Sequence, residues 1–198
     1  MVEGNKSQFT NSAGTNLSQI KILQGNLRLE VIDTVAELAR NAGDWNCLAL
    51  KAPQRVHTLS HAWTGSFLEQ LLPDNASWCC LLARDDQSLV GVLPLFHTQW
   101  SKLGKSCVRL TTPYSPHMLS LDLICPPDRQ TEIAAFMLQG IKSQFPDWYD
   151  LTFRRLSDSS PLLSQVHSGI NQWLVPVMYV LIPIAWSPLI VGGTAWAA

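Results

Sequence analysis

The chain has 198 residues, enough for one domain with a real core or for one domain plus a tail. Hydrophobic residues make up 46% and charged residues only 15%, well under the roughly 25% typical of soluble domains. A net charge of -1 leaves no electrostatic footprint for DNA, RNA or an anionic membrane, so nucleic acid is excluded as a partner of a basic face.

Residues 1–26 are rich in Ser, Asn, Gly and Thr and contain no apolar run, so they read as a disordered leader and not as a secretory signal. Leu27, Leu29 and Val31 alternate with Arg28 and Glu30, which predicts a strand extended by Ile32. Asp33 or Thr34 can cap the following helix, with Glu37 three or four residues on, and Val35, Leu38 and Ala39 give it an apolar face. Gly43 is expected to stop this helix, and Trp45-Asn46-Cys47-Leu48-Ala49-Leu50 to form a short connector that buries Trp45. Ser60 begins a second amphipathic helix with Trp63, Phe67, Leu68, Leu71 and Leu72, ended by Pro73. Trp45, Trp63 and Trp78 are all expected in the core.

Two apolar runs, 78–83 and 89–96, flank the polar stretch Arg84-Asp85-Asp86-Gln87-Ser88 and predict an antiparallel hairpin. Gly91 inside the second run suggests a bulge or a close backbone approach, and Pro94 pushes that end towards an edge. A short strand at Val108-Arg109-Leu110 follows, then a proline-punctuated stretch over 111–117 and an extended piece over 118–124. Pro126-Pro127-Asp128 opens a helix carrying Ile133, Ala134, Phe136, Met137 and Ile141, which ends near Phe145-Pro146, and 149–156 is a strand. This order predicts an α/β (α+β) fold: a mixed, largely antiparallel sheet flanked by helices, with one late crossover.

The charge stops abruptly. All 14 basic and 15 acidic residues lie at or before Asp158, so residues 157–198 form an apolar, nearly uncharged tail. Pro176, Pro183 and Pro188 argue against a transmembrane helix there, because each removes a backbone hydrogen bond that lipid cannot replace. An aberrant or truncated end, a core strand near 177–182 followed by a loose end, and a membrane anchor stay open as readings of the tail. Five cysteines, Cys47, Cys79, Cys80, Cys107 and Cys125, show no metal spacing. Cys79 and Cys80 would point to opposite faces of a strand and cannot clamp one ion, so all five read as small buried residues of a reducing, cytoplasmic protein.

No nucleophile elbow, phosphate loop, dinucleotide fingerprint or His-Glu-x-x-His pair occurs, and no metal site is expected. His57 and His61 stand four apart, but His57 precedes the Ser60 cap and so cannot share a helix face with His61.

Four segments carry a resemblance. Asp44-Trp45-Asn46-Cys47-Leu48-Ala49 is similar to the W-x-x-L-A entry of GNAT-type acyltransferases of the CelD and FemAB-like group. Ser60-His61-Ala62-Trp63 is similar to that group's second-helix start, and residues 78–96 to its hairpin ending in an apolar G-V-L-P-L. Thr112-Pro113-Tyr114-Ser115-Pro116-His117 and Leu121-Asp122-Leu123 resemble the loop and strand that follow. The match covers residues 27–156, which are taken as the domain. It implies transfer of an acyl group from acyl-CoA (acetyl-CoA) or a charged carrier to an amine or other small molecule. The family's donor turn, Gln/Arg-x-x-Gly-x-Gly/Ala at a helix N-terminus, is absent from this sequence.

Within that resemblance, Tyr114, His117 and Asp122 could line an amine site, the Asp holding an ammonium and the His or Tyr taking its proton. They could equally be surface groups of a proline-rich loop and an Asp that satisfies local backbone. Arg154, with Arg155, could grip an anionic group or simply sit on a solvated face. The sequence leaves three classes open: an acyltransferase domain inactive as it stands, a non-catalytic domain that binds or pairs (a homo-oligomer included), and a protein anchored by its tail.

Overall fold

The computed structural model describes residues 23–54, 56–70, 72–73, 75–102, 105–113, 121–156, 160–163, 165, 177–179 and 187–192. Residues 1–22, most of the expected leader, lie outside them. Leu23–Gln24 (β1) and Leu27–Ile32 (β2) pair around a two-residue turn whose first residue, Gly25, has φ +61. Glycine takes that conformation without steric cost, and a glycine first in a two-residue loop suits a type II′ turn. Along β2, Leu27 and Leu29 enter one core and Ile32 the other.

Thr34 caps the next helix, α1 (Val35–Arg40). Its hydroxyl accepts the Glu37 N–H at 3.3 Å and donates to Glu37 Oε2 at 2.8 Å. The stop expected at Gly43 is not there. The chain breaks at Asn41 instead, and α2 (Ala42–Lys51) runs through Gly43 and through the stretch expected to be a connector. The physical reason is the Asn41 side chain. Its amide donates to Glu37 O at 2.8 Å and its carbonyl accepts from Arg84, so a side chain competes with the helix backbone two residues before the glycine. Trp45 is buried as expected, its Nε1 donating to Leu59 O at 2.9 Å.

After a 3-10 turn at His57–Leu59 comes α3 (His61–Gln70), with Thr64, Gly65, Phe67 and Leu68 inward. Trp63 is a correction: it is 43% exposed and meets the His57 ring edge-on, centroids 5.3 Å apart. It lies on the margin of the buried stripe, which is centred on smaller residues. Trp78 is half-buried against the second core.

The hairpin is β3 (Ala76–Asp85) and β4 (Ser88–Lys102). Asp85 pairs with Ser88, so the turn is only Asp86-Gln87, with Asp86 at φ 52, tighter than the five polar residues suggest. Ala83 pairs with Gly91 and Arg84 with Leu89, which leaves Val90 as the extra residue of a bulge. Gly91 also meets the expectation of close approach. A Cβ there would stand 2.6 Å from Ile133 Cγ2 and 2.9 Å from Met137 Cε.

β5 (Lys105–Thr111) runs antiparallel to β4, and the helix α4 (Gln130–Gln144) carries the chain over to β6 (Trp148–Leu156), which is parallel to β5. Two short stretches of the uncharged tail, β7 (Val177–Tyr179) and β8 (Ser187–Gly192), join the same sheet, β8 antiparallel to β6 and β7 outside it. The sheet order is β1-β2-β3-β4-β5-β6-β8-β7, a mixed and largely antiparallel α/β architecture with the β3/β4 hairpin in its interior. One face carries α4 through Ile133, Phe136, Met137 and Ile141; the other carries α1 to α3 through Leu38, Trp45, Leu48 and Leu68. Cys79 and Cys80 fall into these two opposite cores, as their adjacency requires, and Cys125 is buried too, but Cys47 is exposed and Cys107 half-buried, against the expectation for all five. Burial pushes the Cys79 thiol up to about 12 and raises Cys80 as well, so both stay protonated. Among the described residues no helix is long and apolar enough to cross a membrane.

Candidate functional site

The β4/β5 ladder ends where Phe96 pairs with Thr111. Four residues back along β4, Val92 pairs with Ile124 through two 2.9 Å bonds, Val92 N–H to Ile124 O and Ile124 N–H to Val92 O. Thr111 and Ile124 thus mark two feet on one line beside β4, with residues 112–123 between them in the chain. Pro94 sits opposite the interval. It pairs with Cys80 on the β3 side, so it is interior to β4 and not at its end. Residues two apart turn their N–H groups the same way, so the donor that Pro94 lacks would face this interval, where no ladder needs it. The edge expected from Pro94 is thus a local one.

Both feet of the excursion are tied. At the departing foot, Thr112 N–H donates to Thr152 O of β6 at 3.1 Å. At the returning foot stands Asp122, 1% exposed. Its Oδ1 accepts the Leu123 N–H at 2.7 Å and the Ser160 hydroxyl at 3.0 Å, and its Oδ2 accepts Gln54 Nε2 at 3.1 Å. Gln54 Nε2 also donates to Leu123 O at 3.2 Å, while Gln54 Oε1 is buried without a partner. Ser160 Oγ in turn accepts Leu163 N–H at 3.3 Å. Three segments far apart in the chain meet on one carboxyl, beyond the carboxyl ends of the parallel strands β5 and β6. Clefts in sheets with parallel strands commonly open at that end.

Burial raises the Asp122 carboxyl to about 6, against the opposing pull of the Gln54, Leu123 and Ser160 hydrogen bonds. No basic side chain among the described residues bonds to it. A carboxyl held by neutral donors and titrating near neutrality is the kind of group that can take up or release a proton at working pH. Asp122 also adds to the burial that lifts the neighbouring Cys125 thiol to about 12.

Of the residues singled out from the sequence, Tyr114 and His117 lie outside the described residues. Arg154 lies on β6, in the irregular step of the β6/β8 ladder between Phe153 and Leu156, and its side chain lies outside the described residues. Gln54 and Ser160 were not anticipated. Ser160-Pro161 carried a legible signal, a capping serine ahead of a proline at the first helical position. Gln54 carried none, because its role depends on contacts 68 residues away.

The helix that follows a strand of a parallel pair is where a phosphate would be expected, on free N–H groups at its amino end. The amino end of α4 does not fit one. Pro126 and Pro127 have no N–H, and the Arg129 N–H already donates to Pro126 O at 3.2 Å. The Arg129 guanidinium is held by Glu132 at 2.7 and 3.0 Å and by Asp85 at 2.6 Å. The hydrogen bond to Glu132 leads in raising its pKa, and the same bond lowers that of Glu132. Two carboxylates thus hold the one arginine, and Asp128 precedes it in the chain. Among the described residues no group of three or more His, Cys, Asp or Glu could hold a metal ion.

No protein-family model matches the chain, and no curated protein matches it. Among solved structures, a ribosomal-protein-alanine N-acetyltransferase from Brucella melitensis biovar Abortus 2308 is similar at 12% identity and a TM-score of 0.42, over 80% of this chain and 98% of that one. An aminoglycoside acetyltransferase from an uncultured soil metagenomic sample, in complex with sisomicin, is similar at 12% identity and 0.43, over 80% and 97%. An N-acetyltransferase from Staphylococcus aureus Mu50 is similar at 9% identity and 0.40, over 83% and 97%. With every score below 0.5, these likenesses carry no argument about activity, donor or acceptor.

Proposed function

We propose that this chain is a GNAT-type acyltransferase domain of the CelD and FemAB-like kind, with an acyl-CoA as donor and an amine as acceptor, and that it holds the donor weakly. One observation carries the reading: an antiparallel run followed by a single parallel pair, with the buried Asp122 tied in at the carboxyl ends of that pair. The order of segments agrees with the resemblance read from residues 44–49, 60–63, 78–96 and 112–123. In this reading Tyr114 and His117 serve the amine, and Asp122 fixes the described residues that follow them in the chain. Asp122 then acts by placing those residues, because both of its oxygens already accept protein donors and it is closed to solvent.

Among the described residues, the amino end of α4 makes no provision for the donor's pyrophosphate. Bringing it to the amino end of α4 would set it against Asp85, Asp128 and Glu132, with the one arginine already engaged. Without a placed donor the acyl carbon cannot be oriented for attack, so amine acetylation by this chain is expected to be slight. A second reading, a non-catalytic domain of the same architecture that binds or pairs, is favoured by the same carboxylates.

Calorimetry with acetyl-CoA tests the proposal in both directions. Saturable binding, competed by coenzyme A, with Kd on the order of 0.1–1 mM is expected. Micromolar binding would remove the claim of a missing cradle. No saturable binding at all would favour the non-catalytic reading.

A further inference from the structure

We infer that Gln54 and Ser160 are positioning residues, which hold the Asp122 carboxyl and with it the segment that rejoins β4 in one place. The inference rests on the acyltransferase reading only for its consequence; the geometry stands apart from it. Gln54 follows α2 and Ser160 follows β6, and neither segment adjoins residues 121–125 in sequence. Each gives Asp122 one donor, on different carboxylate oxygens: Gln54 Nε2 on Oδ2 at 3.1 Å and Ser160 Oγ on Oδ1 at 3.0 Å. Gln54 binds the segment twice, adding Leu123 O at 3.2 Å. Two residues on, the Val92–Ile124 bridge is the one backbone pairing between this segment and the sheet among the described residues. Such a lone bridge has no ladder bonds beside it among the described residues, so the hold on Asp122, together with the burial of Leu121, Leu123, Ile124 and Cys125, keeps it in register.

Ser160 does double service, accepting from Leu163 N–H while donating to Asp122, so it ties the chain after β6 to the returning foot. The charged and titratable groups nearby in the chain are Cys125 and Asp128 on the segment's own side, the exposed Lys51 at the end of α2 and the exposed His57 in the 3-10 turn; none of them bonds to Asp122 among the described contacts.

The test is the titration of the Asp122 side-chain carboxyl by carbon NMR in the full chain, its resonance identified by its loss in Asp122→Asn. In Gln54→Met and in Ser160→Ala a donor to the charged form is lost. The midpoint should move up by on the order of one pH unit in each, and further in the double variant. Ser160→Thr, which keeps the hydroxyl, should return the midpoint to that of the unaltered chain. Amide exchange at Ile124 should quicken in the same variants while the β3/β4 hairpin stays protected. If Gln54→Met fails to fold, Ser160→Ala set against Ser160→Thr decides alone. An unmoved midpoint in a variant whose hairpin amides remain protected would overturn the inference. Acetyl-CoA binding plays no part in this readout, so failure here leaves the acyltransferase reading to its own test.

Discussion

Asp122 has a cost that pH should reveal. Its folded pKa, about 6, lies above the ordinary 3.8, so the folded chain keeps this proton to higher pH than the unfolded chain does. The penalty is therefore absent below about pH 3.8, grows as pH rises to about 6, and is complete above it. At 1.36 kcal/mol per unit it amounts to about 3 kcal/mol. Urea unfolding of the unaltered chain and of Asp122→Asn, which cannot ionise, should show the stability of the former falling relative to the latter between pH 4 and 6. A difference independent of pH would mean that Asp122 is not desolvated as the geometry requires. The two tryptophans of the helical face give a second contrast at this scale. Trp45→Ala removes a fully buried ring and leaves Leu59 O without its donor, a loss of about 3–5 kcal/mol. Trp63→Ala, at 43% exposure, should cost under about 1 kcal/mol in the same unfolding experiment.

Between elements, the seat of α4 on the sheet depends on two glycines of unequal tolerance. A Cβ at Gly91 would press on Ile133 Cγ2 at 2.6 Å and on Ala83 Cβ at 3.1 Å, neither of which can swing away, since a β-branched side chain on a helix has one favoured rotamer. A Cβ at Gly140 would meet the end of Leu29, Cδ2 at 2.9 Å, which can turn. Gly91→Ala should therefore destabilise by about 1–3 kcal/mol and Gly140→Ala by less, read as shifts in the urea midpoint. Equal costs would contradict the packing. The same elements show how far local signals reach. Alternation and turn residues made the β3/β4 hairpin legible, and Gly91 announced both the bulge and the close approach. Gly43 misled because a glycine can stop a helix but need not. The break was decided by Asn41, whose bond to Arg84 spans 43 residues that no local window contains. Trp63 misled for a related reason: an aromatic residue at roughly helical spacing predicts a buried side but not where that side stops. In the candidate site Asp122 was singled out through a resemblance, as a holder of an ammonium or of local backbone, whereas Gln54 and Ser160 acquire their contacts only through the tertiary meeting of three segments.

At the scale of the molecule, the uncharged tail contributes β8 as the neighbour of β6 on the side away from β5. Removing residues 173–198 would leave the backbone of β6 opposite β8 without ladder partners, an open edge of the kind that pairs with other chains. The shortened chain should therefore unfold at lower temperature and aggregate more readily than the full one. Better solubility and unchanged unfolding of the shortened chain would instead support the tail as a misfit end, and retention of only the full chain in carbonate-washed membranes would support an anchor.

The central claim joins an acyl-CoA donor to a helix mouth that resists it, and a pair of substitutions addresses both halves. Asp85→Asn with Glu132→Gln removes two carboxylates at the amino end of α4 and frees Arg129, at small cost because these ion pairs are partly exposed. Acetyl-CoA binding by calorimetry should be weak in the unaltered chain and tighter in the double variant by roughly tenfold, the effect of about 1.4 kcal/mol. Equal affinity in the two proteins, or micromolar binding by the unaltered chain, would contradict the account.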